Sequence, residues 1–392
     1  MTTPAQPPKQ LVLLGAGHAH VHVLSTLATQ PMAGVQITLV APYPRQLYSG
    51  MVPGFVAGHY ALDDCVIPLE PLLQNTGIRW LTRSATGLDA NARTVTLDDG
   101  STLSFDWLSV NTGPVQDRVQ IEQTMPGARE HGLFVRPIES FGALWPRVAE
   151  LAKTRALRVA VIGGGAAGIE LAMAIRHGLG SSSVTLVAGA AAVGANYTPA
   201  VQQRVVKALK RRNITVLPDL AVGIQAGEVL LGCGARLACD VPLIATGAQA
   251  PAWLAGSGLA LDANGFIAVD ACQRSTSHAH VFAAGDVSTR VDRAIARSGV
   301  YAVRAGPALA NNLAAAIAGR EPSPHQPPEN TLNLISCGDR QAIASWGHYA
   351  AQGRWVWWLK DRIDRAFIKR YSRPPLTPAG NIDSDGAPAN RR

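Results

Sequence analysis

The sequence predicts an α/β protein with two parallel-sheet domains, the second inserted in the first, followed by a small C-terminal α+β region. Three observations carry that reading. A buried strand, a glycine-rich turn, a helix and a second strand follow one another from Leu11 to Val40. The same order returns from Arg158 to Val187. A further strand, Val281–Ala284, ends late in the chain in Gly285-Asp286 and is followed by a long apolar helix.

Each unit can be read residue by residue. In the first, Leu11–Leu14 is the strand, Gly15-Ala16-Gly17-His18-Ala19-His20 the turn, Val21–Thr29 the helix and Val35–Val40 the second strand. In the second, strand Arg158–Ile162 leads to Gly163-Gly164-Gly165-Ala166-Ala167-Gly168, then helix Ile169–His177 and strand Ser183–Val187. Strands Thr94–Leu97 and Leu103–Val110 flank the turn Asp98-Asp99-Gly100. The late helix is expected over about 302–318, a Pro-rich linker over Glu321–Asn330, a β region over Leu332–His348 and a Trp-rich basic helix over Arg354–Tyr371. These elements place the first domain at 8–118 and 262–320, the inserted domain at 119–261, the C-terminal region at 331–371 and a disordered tail at 372–392.

Composition narrows the classes of function. With 47% hydrophobic and 16% charged residues in 392, the chain has material for a packed core and is not a disordered segment. The net charge of +8 suits anionic partners such as dinucleotide phosphates or acidic lipid. Nucleic acid is not expected, because no recognised nucleic-acid module accompanies the basic residues. Five cysteines, an odd number without a CxxC pair, argue against a disulfide scaffold and a zinc site. No apolar run is long enough for a spanning helix, so the chain is expected in the cytoplasm.

Both turns carry the G-x-G-x-x-G logic, in which glycines let backbone approach a pyrophosphate at a helix N-terminus. The second copy is complete in Gly163, Gly165 and Gly168; the first has His20 in place of the third glycine. Neither following strand ends in the carboxylate that usually binds ribose hydroxyls, and no Arg at the second site suggests a 2′-phosphate. The choice between NADH and NADPH therefore stays open. His18, His20 and His22 alternate without a local carboxylate or Cys, so no metal is expected, and packing against the cofactor is the better reading for this cluster.

Two such turns and the late Ala284-Gly285-Asp286 resemble the two-dinucleotide-domain flavoproteins of the pyridine nucleotide-disulfide oxidoreductase superfamily, in particular its type II NADH dehydrogenase-like branch. Tyr48-Ser49-Gly50-Met51-Val52-Pro53-Gly54, Ala57–Tyr60 and Tyr301–Pro307 resemble a subgroup often fused to selenophosphate synthetase. The resemblance implies FAD, with Gly15 and Gly17 on its pyrophosphate, Gly285 and Asp286 at its ribityl chain, and His18, Ser49 and Gly50 beside it. It implies NADH or NADPH as co-substrate on Gly163, Gly165 and Gly168, with Glu170 matching an acid near the nicotinamide. Thr112-Gly113 and Thr246-Gly247 match the segments linking the two domains, and Thr112 and Gly113 border the cofactor.

The departure from the disulfide branch decides the expected chemistry. That branch sets a cysteine pair against the flavin, whereas Gln46–Gly54 has no cysteine, Cys65 stands alone, and Cys233 and Cys239 read as buried fillers. Electrons should then leave to an external acceptor, with a quinone leading. The alternatives are a soluble flavin reductase serving a protein or selenium-metabolism acceptor, and a non-catalytic flavin-binding sensor. In helix 354–371 the residues Trp355, Trp358, Leu359, Ile363, Phe367 and Tyr371 read as one apolar stripe among basic residues. Such a helix can lie on a membrane surface, at the inner face of the cytoplasmic membrane, or pack on the flavin domain or a homodimer partner. A chain cut after Gln352 is expected to keep FAD.

Overall fold

The structure, a computed structural model, describes residues 7–372. Apart from Ser372, the expected tail 372–392 lies outside the described residues. Strand Lys9–Leu14 is sealed over its last four residues, which are apolar on both faces as the middle of a parallel sheet requires. It pairs in parallel with Val35–Val40 on one side and Trp107–Val110 on the other. Arg79–Leu81 and Val281–Ala283 form the two edges. A second parallel sheet runs in the order Leu133–Phe134, Val241–Ile244, Arg158–Ile162, Ser183–Val187, Thr215–Leu217. All five of its strands lie, along the chain, between two neighbours of the first sheet, Trp107–Val110 and Val281–Ala283.

The helices begin earlier than their apolar periodicity suggests. Gly17 is extended (φ −65°, ψ 175°) and the helix His18–Thr29 starts at the next residue. Gly165 does the same for Ala166–Gly178, and Ser298 for Gly299–Ile317. In each case a small or polar residue is the cap, and the first turn of helix is too polar or too small to show in a hydrophobic pattern. The expected strand Leu103–Val110 is two strands, Thr102–Ser104 and Trp107–Val110, in different sheets. Between them Phe105 turns into the core and the Asp106 carboxylate accepts the Gln10 N–H at 2.7 Å.

The C-terminal sheet consists of Asn333–Ser336, Ala342–Trp346 and Tyr349–Gly353, the last a strand of small and polar residues that pattern reading misses. Helix Arg354–Tyr371 has the expected bounds, but its stripe is not one face. Trp355, Trp358, Leu359 and Ile363 are exposed, whereas Tyr371 is buried and Phe367 packs inward. Each i to i+4 step advances about 40° beyond a full turn. The row 355–359–363–367–371 therefore winds from solvent to core. The inner face instead carries Val356, Trp357, Lys360 and Asp364.

The second glycine turn shows how little room the fold leaves. A Cβ on Gly168 would lie 1.8 Å from the Gly163 carbonyl oxygen, while one on Gly165 would meet nothing within 4 Å. Gly168→Ala should therefore cost on the order of 3 kcal/mol or prevent folding. Gly165→Ala should fold with near wild-type stability. Thermal unfolding of the two variants checks this; equal midpoints would show that the close packing at Gly168 is not needed.

Candidate active site

The first turn is held by its neighbours on the next strand. Gly15 has φ +82°, a conformation glycine adopts without strain, and a Cβ there would come within 2.6 Å of the Thr112 Cα. A Cβ on Gly17 would lie 2.4 Å from the Asn111 side-chain oxygen. That oxygen accepts the N–H groups of Ala19 and His20, both at 3.1 Å, so it occupies two donors of the helix N-terminus. The Asn111 amide nitrogen donates to the Ala284 carbonyl at 2.5 Å. Asn111 thus pins the turn at Gly15–Gly17 to the turn at Gly285-Asp286. Sequence reading stopped one residue short of it, at Thr112.

His20 solves the problem of the missing third glycine by bonding rather than by vacating space. Its Nδ1 lies 2.6 Å from the Gly15 carbonyl oxygen, which can only accept, so Nδ1 carries the proton. Nε2 then accepts from the Ser109 hydroxyl at 2.8 Å. The ring is sealed, and burial lowers its pKa to about 4, which keeps it neutral. The three histidines have separate partners: His22 Nδ1 pairs with the Tyr371 hydroxyl at 2.9 Å, and His18 Nδ1 with Gln46 Nε2 at 3.0 Å. Burial and the Arg136 charge bring His18 to about 4 as well.

His18, Arg136, Asp286 and Glu170 are deep in the protein yet each keeps accessible surface. Asp286 lines a small cavity with Gly285, Arg297 and Tyr301, Arg136 acts on both Asp286 and His18, and Glu170 lies apart beside Lys360 and Ser336. Arg136 faces Asp286 and Glu139, and its guanidinium makes no hydrogen bond or ion pair with any described residue. Burial lowers its pKa against the pull of those acids, and raises that of Asp286 against Arg136 and Arg297. Asp286 likewise has no protein hydrogen-bond donor among the described residues. A five-donor cation and an acceptor carboxylate, both unpartnered beside two glycines stripped of side chains, fit a ligand that carries phosphates and hydroxyls. Ser49 stands beside His18: its hydroxyl lies 3.5 Å from His18 Nε2 and 3.4 Å from where a Cβ on Gly299 would stand. The carbonyl of Gly50 is turned to the C-terminal helix, where it accepts from Lys360 Nζ at 2.7 Å.

Lys360 is the residue that sequence reading placed among solvated charges and the structure buries. Its ammonium also donates to Asp364 at 2.7 Å. Burial works against the charge, but Asp364 and Glu170 outweigh it and hold Lys360 above its ordinary pKa. Glu170 Oε1 accepts the Ser336 N–H at 2.6 Å, and burial raises its carboxyl to about 7 despite the nearby Lys360. Glu170 therefore turns toward the C-terminal sheet and helix. A truncation after Gln352 would remove Lys360, the cation that acts on Glu170, so the C-terminal helix belongs with Glu170 rather than to an appendage.

The second turn opens on a cavity of about 380 Å³ outside the carboxyl ends of the second sheet. Gly163, Gly189, Asp219, Leu220 and Thr246 are among its walls, and Gly165 is clear of neighbours. Its size lies in the range of small-molecule sites. Gly113 and Gly247 stand at the crossings between the sheets, and Val115 bridges to Gln249 beside them. Among the cysteines, Cys65, Cys239 and Cys337 are buried, but Cys233 is exposed at a turn, contrary to its reading as a filler. All five are free thiols.

The pyridine nucleotide-disulphide oxidoreductase family matches residues 9–310, and the chain belongs to it. It is a flavin-dependent pyridine nucleotide oxidoreductase whose cofactors are FAD and NAD(P)H. Oxidoreductase ptaL of Pestalotiopsis fici is 24% identical over 364 residues, which are 88% of this chain and 93% of that protein. An NADH dehydrogenase-like protein of Mycobacterium tuberculosis is 27% identical over 241 residues, 58% of this chain and 59% of that protein. The solved sulfide:quinone oxidoreductase of Aquifex aeolicus superposes with a TM-score of 0.76 at 19% identity, covering 95% of this chain and 93% of that one. The last likeness shows a shared fold.

Glu170 gives a test with a defined sign. A carboxyl near 4.5 in the unfolded chain and about 7 in the folded one favours the folded state most when protonated. That contribution is complete below pH 4.5 and is lost as pH rises to 7. Wild-type stability should fall across this window by on the order of 3 kcal/mol relative to Glu170→Gln, which keeps an acceptor for Ser336. Urea unfolding at several pH values measures it; parallel stability curves would show that Glu170 titrates alike in the folded and unfolded chain.

Proposed function

We propose that this chain oxidises NADH or NADPH and passes the electrons to a quinone or a similar small acceptor, without a redox disulfide. The observation that carries this is the segment beside His18, where Gln46 and Ser49 stand: where the disulfide branch sets its thiol pair, this chain has none, and its five cysteines are all free thiols at other positions. When bound, FAD supplies the two-electron relay, taking hydride from the nicotinamide and giving electrons to the acceptor. The chain's own residues bind, orient and manage protons. Gly15 and Gly17 leave backbone bare for the pyrophosphate, Arg136 offers its free N–H groups to an anionic part of the cofactor, and Asp286 accepts from ribityl hydroxyls. Ser49, Thr112 and Gly113 border the same cradle, and neutral His18 packs against it without adding charge.

On this reading the segments 8–118 and 262–320 form the FAD part, and 119–261 form the nicotinamide part around Gly163, Gly165 and Gly168. Reducing a quinone consumes protons as well as electrons. Glu170, held at about 7, can keep or release a proton at neutral pH, and the Ser336 N–H fixes its carboxyl in place. The acceptor would come from lipid. No helix among the described residues is long and apolar enough to cross a membrane. The outer face of the C-terminal helix, however, exposes Trp355, Trp358, Leu359 and Ile363 between Arg354, Arg362 and Lys369, and the neighbouring hairpin exposes Trp346 and Tyr349. Aromatic and basic side chains in that mixture suit a membrane surface.

Three measurements test the reading. The purified protein should be yellow, and Arg136→Met should weaken FAD binding by at least about tenfold, the worth of a charge-assisted bond; unchanged affinity would take Arg136 out of the cofactor site. A folded variant with all five cysteines replaced should still be reduced by NAD(P)H and should still turn over a soluble quinone; loss of reduction would point to a thiol relay. Binding to anionic vesicles should weaken as salt rises. It should vanish in Trp355→Ser/Trp358→Ser/Ile363→Ser, while FAD is retained, since those side chains do not face the core. Vesicle binding that survives this triple change would remove the helix from the membrane reading.

A further inference from the structure

The strand Ser183–Val187 lacks the terminal carboxylate that would hold a ribose, since Ala188 and Gly189 follow it. The neighbouring strand supplies one. Asp219 follows Thr215–Leu217, which pairs in parallel with Ser183–Val187, and it lines the same cavity as Gly163 and Gly189. Its backbone carbonyl accepts the Gly189 N–H at 3.0 Å, which fixes the two strand ends together. Its carboxylate is held in place from behind: Oδ1 accepts the Leu220 N–H at 2.7 Å and Oδ2 the Cys233 N–H at 3.2 Å. Hydrogen bonds from the Cys233 side chain and from these N–H groups keep its pKa below the usual range, so it is ionised at neutral pH. With these three donors on about four acceptor sites, the carboxylate keeps one position for a ligand. Ile121, Leu220 and Val222 provide an apolar wall beside it, and none of the residues lining the cavity is Lys or Arg.

We infer that Asp219 sets the dinucleotide preference of this site, accepting a hydrogen bond from the adenosine ribose diol and disfavouring a 2′-phosphate, so that the protein uses NADH in preference to NADPH. The inference rests on the proposed nicotinamide site at Gly163–Gly168. A 2′-phosphate would bring a charge of nearly −2 against a fixed carboxylate with no lining cation to offset it. The diol loses nothing in the same place. The element responsible is the third strand of the sheet, and its main-chain bond to Gly189 brings it to the position left vacant by the second.

Binding of ADP-ribose and of 2′-phospho-ADP-ribose to the FAD-loaded protein, measured by calorimetry, tests this without turnover. Wild type should prefer ADP-ribose by at least about tenfold, and rates of flavin reduction by NADH and NADPH should differ in the same sense. Asp219→Asn keeps an acceptor for Leu220 and should narrow the preference by roughly tenfold, mostly through tighter binding of the phosphorylated form. Equal affinities in the wild type, or an unchanged preference in a folded Asp219→Asn, would overturn the assignment. Failure of both nucleotides to bind would remove the nicotinamide site itself, and the assignment with it; that outcome is distinct from equal binding of both.

Discussion

A single carboxamide holds the turns at Gly15–Gly17 and Gly285-Asp286 together. The Asn111 oxygen takes the first N–H groups of helix His18–Thr29, and its nitrogen takes the carbonyl just ahead of Gly285-Asp286. The three segments it joins belong to three strands that are adjacent in the sheet and far apart in the chain. No charged or larger side chain could do this, because the space is bounded by Gly17 on one side and Gly285 on the other. The amide offers an acceptor and a donor in one plane, which is what a helix terminus and a strand carbonyl need. The glycines of the first turn are thus required by Asn111 itself, whatever they leave open to the proposed cofactor.

The second constraint is the burial of Lys360. A sealed ammonium is costly unless its donors are used, and here Gly50 and Asp364 use two of the three, while Glu170 supplies further negative potential. The helix that carries Lys360 therefore cannot shift without leaving charges unpaired. This locks the C-terminal region onto both domains, since Gly50 belongs to one and Glu170 to the other. Tyr60 adds a bond of 2.7 Å to Asp361 on the same helix, and Phe367 stacks on Tyr48 and His18. Packing of this kind fixes one face of the helix and leaves Trp355, Trp358, Leu359 and Ile363 exposed on the other.

The sheets and both turns were legible in the sequence because a buried parallel strand is a short apolar run and a tight βα turn demands glycine. Helix starts were not, since Gly17, Gly165 and Ser298 act through backbone conformation and leave no hydrophobic trace. Asn111 was missed because a polar residue ending an apolar strand looks like the first residue of a loop. Arg136 gave no sign, for its meaning lies in having no partner, and a sequence cannot show that. Lys360 was hidden by its surroundings: among Arg354, Arg362, Arg365, Lys369 and Arg370, one more cation looked solvated. The apolar stripe failed for a geometric reason, the winding of an i+4 row, which counting residues by fours conceals. Asp219 was invisible because the ribose acid was sought on the second strand, and only strand order brings the third beside it.

The return of the chain to strand Val281–Ala283 also fixes an order of events during synthesis. The second sheet is contiguous, from Leu133 to Ile244, and can close as soon as it leaves the ribosome. The first sheet waits for its edge strand, and Asn111 has no Ala284 to bond until then. At roughly 5–20 residues per second, the interval between the emergence of the first turn and that of Asp286 is on the order of 15–50 s. Lys360 follows later still. For that time the N-terminal strands stand as an open parallel sheet with an unpaired edge, the kind of surface that attracts chaperones or a neighbouring nascent chain. The first sheet is thus begun before the second and completed after it.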